Sequence, residues 1–291
     1  MLISILLVDI IFFPVTLFLI PRPRFLKKEI AVNTSLSVSS TQPGPPDLFE
    51  TDAAQQIWNP LDFLTTISPG LAKWRGLALD GRVAPSYVFI GPRGGHVPIR
   101  LALLAGIGTG DLPSTNALVK MFVELDLAPL LAQDFALFGY PDANPERTSG
   151  YSPDFTTDFW KNDSDPVIRY FEQELTENQL DGVIAIKTNE PIAGFQIQVS
   201  SRVIATEVLW PTLEMAQRLL PLASEPIQIF PRLPDNRHSL FSLGHARPGP
   251  FTLLIRTPKH MPLENQISAI VFSLKQILHC YRVLVSHADS L

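Results

Sequence analysis

The chain has 291 residues, 46% of them apolar and 18% charged, with a formal net charge of −5. That apolar content excludes global disorder and supplies one large core or two smaller ones. The acidic balance excludes a basic nucleic-acid-binding face, and the single cysteine excludes a disulfide framework and a multi-cysteine zinc site.

Residues 2–20, LISILLVDIIFFPVTLFLI, form a nearly continuous apolar run just long enough to cross a bilayer core. Asp9 is costly at its middle and Pro14 would kink a helix there. Arg22, Arg24, Lys27 and Lys28 follow, which by the positive-inside tendency keeps the rest of the chain cytoplasmic. No basic residue precedes the run and no small-residue cleavage site is evident, so a signal peptide is a poor match. A membrane anchor, a translation start placed too far upstream and an uncleaved targeting segment all remain open, and the anchor is preferred. Residues 31–58 read as a Ser/Thr/Pro-rich linker, which divides the chain into 1–30, 31–58 and a domain over 59–291.

Within that domain, residues 61–79 have helical spacing, with Trp74 and Leu77 on one face. YVFIG (87–91) and IRLALLAGI (99–107) read as strands joined in a hairpin by GPRGGHVP. The stretch from Ser114 to Gln133 has a helical period, with Ser114 or Thr115 as its N-cap. FALFGYP (135–141) reads as a buried strand leading into a long polar loop that runs to Trp160. The helix DPVIRYFEQELTENQ follows, then the strand DGVIAIK (181–187), a helix over 206–223 and the strand PFTLLIRTP (250–258). An amphipathic helix closes the chain, with Cys280 read as a packed core residue. Alternating strands and helices indicate an α/β domain with a parallel or mixed sheet. Glu172, Glu174 and Glu177 stand at helical spacing and read as a solvated face.

The stretch LLAGIGTGDLPS (103–114) joins a strand to a helix through a glycine-rich turn, where α/β sheets build their sites. With NP at 144–145, DFTTDFW (154–160), AIK (185–187) and IRTP (255–258), it resembles the zinc carboxypeptidase family, in particular its succinylglutamate desuccinylase/aspartoacylase-like branch. The resemblance covers roughly residues 60–285 and implies a single mixed, largely parallel sheet of about eight strands with helices on both faces. In that family the first turn reads GIHGDEP, whose His and Glu bind zinc. A D-x-N-R segment grips the substrate carboxylate, a later His completes the zinc site, and a Glu on a late strand is the general base.

Carried over position by position, the framework persists in Gly106, Ile107, Pro113, Asn144, Pro145, Asp154, Phe159, Trp160, Thr257 and Pro258. The chemistry does not. Gly108-Thr109 stand at the His position, Asp111 is kept, and Leu112 stands at the Glu position. Thr156 and Thr157 replace Asn and Arg, Lys187 replaces the third ligand, and Arg256 replaces the general base. Leucine has no lone pair to offer zinc, and lysine must first lose a proton. Guanidinium stays charged and accepts no proton. The resemblance therefore implies a degenerate site with its zinc and catalytic residues lost, and no cofactor.

Two readings of the cations are open. Lys187 and Arg256, partnered by Asp111 and Asp154, would line a pocket for a small anionic ligand such as a peptide terminus or an acyl-amino acid. Alternatively they form structural ion pairs over a collapsed pocket, which is the commoner fate of charge pairs. A replacement metal site would draw on histidines, and His238 and His245, seven apart in one loop, are the best pair available. His96 and His260 offer no metal-binding spacing. There is no G-x-S-x-G elbow and no phosphate loop, and Pro113 stands at the third glycine of a dinucleotide fingerprint. The sequence thus leads to an inactive relative kept for binding or regulation, cytoplasmic and tethered to a membrane through residues 2–20. The alternative is a working metal-dependent hydrolase, a carboxypeptidase or N-acyl amino acid deacylase, with non-standard ligands.

Overall fold

Near-continuous apolar runs such as IRLALL and FALFGY cannot leave either face in water, so they take the centre of a sheet. In the computed structural model, which describes residues 48–79, 82–94, 98–108, 111–144, 166–217, 221–230 and 250–288, that sheet has eight strands. In spatial order they are β1 (Leu71–Lys73), β4 (Tyr87–Ile90), β6 (Phe135–Tyr140), β5 (Ile99–Leu104), β7 (Gly182–Glu190), β10 (Phe251–Pro258), β8 (Phe195–Val199) and β9 (Leu222–Ile229). Four ladders are parallel, namely β6–β5, β5–β7, β7–β10 and β8–β9, and the other three are antiparallel. A small hairpin, β2 (Leu77–Leu79) with β3 (Arg82–Ala84), stands apart.

Strand alternation sorts the core into two layers. Leu101, Leu103, Ile184, Ile186, Leu253 and Ile255 face α1 (Leu48–Ile67), α2 (Leu112–Leu127) and α6 (Leu263–Ala288), with α4 (Arg202–Ile204) and α5 (Trp210–Ala216) completing that layer. Ala102, Leu104, Val183, Ala185 and Leu254 face α3 (Pro166–Glu177). The alanines on this second face leave room for rings, and Tyr140 meets Phe171 edge-to-face with centroids 4.9 Å apart. Helices therefore lie on both faces of a single mixed sheet, as the resemblance implied. Of the described helices, α6 alone is long and apolar enough to cross a membrane, yet its apolar side packs into the sheet.

Several expectations are corrected. The 87–107 hairpin does not form, because β6 inserts between β4 and β5 and pairs with both. A strand buried on both faces needs two neighbours, and the turn composition at 91–98 says nothing about which. The expected helix over 61–79 is instead the end of α1 followed by β1 and β2. Pro69-Gly70 breaks it, and Ser68 Oγ accepts the freed amides of Gly70 (3.2 Å) and Leu71 (3.1 Å). The helix α1 covers Leu48–Ile67, so it includes the last residues of the segment read as linker. Strands β8 and β9 were not anticipated; Pro226 argues against a strand, and its place on the edge strand β9 explains why it is tolerated.

The glutamate face of α3 is only partly solvated. Glu174 is 4% exposed and accepts from Tyr140 Oη at 2.6 Å, Asn178 Nδ2 at 2.9 Å and Trp74 Nε1 at 3.4 Å. Burial and the neighbouring carboxylate push the Tyr140 hydroxyl well above its ordinary range, so it stays a donor. Glu177, by contrast, pairs at the surface with Arg75 at 2.8 Å. Replacing Glu174 by Ala strands those donors in the core, so Glu174→Ala is expected to lower unfolding free energy by about 2–3 kcal/mol. Urea denaturation checks this, with Glu177→Ala expected to leave the midpoint near that of the unmodified chain.

Candidate functional site

The carboxyl ends of β5, β6, β7 and β10 lie side by side, and the turns leaving them define one end of the domain. Loops at that end are where α/β sheets carry their sites. The turn after β5 and the turn after β6 are laced together. Ala105 N donates to Tyr140 O at 2.9 Å, Ala143 N to Ala105 O at 2.8 Å, and Asn144 Nδ2 to Ile107 O at 3.1 Å. Gly106 sits between them at φ +65°, and a Cβ there would lie 2.7 Å from Pro141 O. Glycine is required twice over, for the left-handed backbone and for the close approach.

Asp111 is the N-cap residue of α2, a place expected of Ser114 or Thr115. Ser114 Oγ instead accepts from Gly106 N at 2.9 Å and donates to Asp111 O at 2.8 Å, fixing the turn. The Asp111 carboxylate reaches across to β7. It accepts from the Thr188 hydroxyl and, at 3.4 Å, from the Thr188 amide, which pins the β5–α2 turn to the end of β7. Asp111 is 4% exposed, and burial raises its carboxyl above the ordinary value of 3.8 despite the hydrogen bonds from Thr188 and Ser114 that oppose the shift. Leu112, at the position of a zinc-binding Glu in the resembling family, is half-buried in the first turn of α2.

Lys187 and Arg256 are register partners on the parallel strands β7 and β10, so their side chains leave the same face. Among the described residues their anion is Glu190 and not Asp111. Lys187 Nζ lies 3.2 Å from Glu190 Oε1, and Arg256 Nη2 lies 2.6 Å from Glu190 Oε2. Arg256 Nη1 also donates to Gln196 Oε1 at 3.0 Å. Strict alternation would send Glu190, three residues after Lys187, to the opposite face. Asn189 at φ +59° inserts a bulge, since Arg256 pairs with Lys187 but Pro258 pairs with Glu190. The extra residue restores the parity and swings Glu190 back beside Lys187. On neighbouring ground Thr257 Oγ1 donates to Gln266 Oε1 at 2.6 Å, and Gln266 Nε2 reaches Asn189 Oδ1 at 3.3 Å, holding the bulge.

Thr109, Thr156, Thr157, Asp154, His238 and His245 lie outside the described residues. The structure brings together Asp111, Leu112, Asn144, Lys187 and Arg256 at the same end of the sheet and adds Glu190, Thr188 and Gln196, which sequence reasoning missed. Among the described residues no group of three or more His, Cys, Asp or Glu is placed to hold a metal ion. The described donors at this end of the sheet also do not form a zinc set. The carboxylates are committed, Asp111 to Thr188 and Glu190 to two cations, and Leu112 offers no donor atom.

No protein-family description matches the chain, and no curated protein matches it. Solved structures do. A metallo-carboxypeptidase from Burkholderia cenocepacia superposes over 80% of this chain and 69% of its own, with 12% identity and a TM-score of 0.57. Bovine thrombin-activatable fibrinolysis inhibitor covers 80% of this chain and 97% of its own, with 11% identity and a TM-score of 0.55. A candidate metallopeptidase from Shewanella amazonensis SB2B covers 80% and 92%, with 15% identity and a TM-score of 0.55. Likeness at such low identity shows the fold alone, and the fold is carboxypeptidase-like.

Two measurements follow from this geometry. A buried acid whose folded pKa is raised binds its proton more readily in the folded state than in the unfolded one. Stability therefore falls as pH rises from near 3.8 through the raised folded pKa, and the full penalty is present above it. Asp111→Asn removes that titration, so its stability relative to the unmodified chain should improve steadily as pH rises through this window; urea unfolding across pH reads the difference. At the bulge, Asn189→Val places a β-branched residue at positive φ and loses the acceptor of Gln266, and is expected to cost about 1–2 kcal/mol, whereas Asn189→Gly keeps the backbone path and loses only that acceptor, so it should cost clearly less than Val in thermal unfolding.

Proposed function

We propose that this carboxypeptidase-like domain does not hydrolyse peptide or amide bonds and serves in binding or regulation. The supporting observation is the cluster in which Glu190 is held between Lys187 and Arg256. In the resembling family those two cationic positions belong to a zinc ligand and the general base. A guanidinium hydrogen-bonded to Glu190 and Gln196 has no lone pair with which to take a proton from water. A Lys187 ammonium beside it repels a divalent cation. What such a site does suit is a carboxylate, because Glu190 is itself one and already occupies the clamp. The ligand class we assign is therefore a small anion, such as a peptide terminus, an acyl-amino acid or a dicarboxylate, that exchanges for Glu190.

The test is direct. Elemental analysis of the purified chain is expected to give far less than one zinc per chain, with no cleavage of peptides or N-acyl amino acids after zinc addition. Stoichiometric zinc with chelator-sensitive hydrolysis would overturn the reading. A thermal-shift series with N-acyl amino acids and dicarboxylates should raise the Tm of the unmodified chain and lose that effect in Lys187→Ala. If no ligand shifts the Tm, the cluster is structural and the ligand assignment fails.

A further inference from the structure

Away from the clamp, one stretch of helix departs from α-helical pairing beside an exposed aromatic ring. In SRVIATEVLWPTLEMA (201–216), α4 runs into α5 through a π-helical turn, Ala205–Leu209. The cause is local. Pro211 has no amide, and in an α-helix its ring would press on the Glu207 carbonyl four residues back, so the preceding turn widens. The Trp210 amide accordingly donates to Ala205 O, five residues back, instead of to Thr206 O. In the wider pairing the donor for Thr206 O would be residue 211, which is the proline. Neither pairing therefore supplies Thr206 O with a donor, although every backbone carbonyl needs one.

A helical carbonyl points towards the following turn, here Trp210 and Pro211, and all three residues line a groove of about 310 Å³. A volume of that size holds a small molecule. Leu213 and, from the edge strand β9, Leu222 give the groove apolar walls, and Trp210 is 55% exposed. Among the described residues that line it, Glu214 alone is charged, and no described cation pairs with it. Arg202, which opens the same helix, does not line the groove. Trp210 and Glu214 are four apart, so their side chains are neighbours on one helix face. Side chains lean towards a helix N-terminus, which directs the Glu214 carboxylate back over Trp210 towards Thr206 O. The groove thus combines a π face, a carboxylate and a spare carbonyl. That set suits a ligand bringing both positive charge and N–H donors, and a primary ammonium has three. A quaternary ammonium would satisfy the ring and the carboxylate but give the carbonyl nothing.

We propose that the groove between this π-turn and β9 binds a primary alkylammonium group. Glu214 holds its charge, Thr206 O takes one of its N–H donors, and its methylenes lie on Trp210, Pro211 and Leu222. The group belongs to a free alkylamine or to a lysine side chain. The site shares no residue with the Lys187–Glu190–Arg256 clamp and stands or falls apart from it. The test is an NMR titration of the full isotope-labelled chain, read at the indole N–H signals of its four tryptophans, with Trp210→Phe assigning the one that matters. Pentylammonium is expected to shift the Trp210 signal saturably and leave the other three unmoved. Pentanol, of equal length and uncharged, should give no saturable shift, and tetramethylammonium should bind several-fold more weakly. Glu214→Gln, at an exposed position, should weaken pentylammonium by about tenfold while the other indole signals stay in place. Pro211→Ala returns an amide to the helix and should weaken it several-fold with the charge at Glu214 intact. Nα-acetyl-lysine amide binding more tightly than pentylammonium assigns the group to a peptide, and weaker binding assigns it to a free amine. A Trp210 signal that no amine moves overturns the proposal, as does pentanol matching pentylammonium, which makes the groove merely apolar. Tetramethylammonium binding as tightly as pentylammonium, or unchanged affinity in Glu214→Gln or Pro211→Ala, overturns it as well.

Discussion

A one-residue bulge in β7 sets what the carboxyl end of this sheet can do. Lys187 and Arg256 emerge side by side from strands about 4.8 Å apart. Two like charges roughly 5 Å apart repel by about 3 kcal/mol at an effective dielectric near 20. Both side chains are less than one-third exposed, so water screens them only in part. Such a pair needs an anion on the same face, and simple alternation along β7 would not supply one. The positive φ of Asn189 adds the residue that turns Glu190 towards them. Asparagine tolerates this backbone better than most residues because its short side chain bonds locally. Here that side chain accepts from Gln266 Nε2, which in turn is tied to Thr257 on the neighbouring strand. Breaking the bulge would take Glu190 away from two half-buried cations.

The turn at Gly106 obeys a different constraint. Its backbone passes so close to Pro141 that no side chain fits, and its amide is taken by Ser114. These demands belong to the route from β5 into α2 and from β6 into its own loop, and they hold whatever ion or ligand lies above. Asp111 illustrates the separation. It survives at the position the resembling family keeps, yet its carboxylate is spent on Thr188, tying the turn to β7. The turn is thus a fastening among three strands. Its chemistry and its path are independent properties, and only the path is needed for folding.

How much of this was legible in the sequence depends on the range of the interaction that decides it. The central strands β5, β6, β7 and β10 were readable because burial on both faces writes itself as an unbroken apolar run. The amphipathic α2 and α6 were readable from their period. The partner of β4 was not, since the choice between β5 and β6 is made across the sheet. Glu174 was read as solvated because helical spacing places it with Glu177, while the ring of Tyr140 and the indole of Trp74 that cover it come from distant segments. Glu190 escaped for a sharper reason: period-two logic assigns it to the wrong face, and only the dihedral of Asn189 reverses that. An Asn-Glu-Pro sequence at a strand end is a faint signal for a bulge, and nothing in it names the two cations the glutamate serves.

The internal carboxylate also bounds what the site can recognise. Glu190 is covalently tethered three residues from Lys187, so it competes as an intramolecular ligand, with an effective concentration in the millimolar range or above. A free carboxylate that makes only the same two ion pairs gains nothing by displacing it. Net binding must come from contacts that Glu190 does not make, through a second anionic group or an apolar body packed on the surrounding walls. The clamp on its own therefore discriminates poorly among carboxylates, and selectivity has to reside in the surfaces around it. The proposed anion clamp would differ in this from a metal centre, where the open coordination position itself draws the ligand and no internal group fills it.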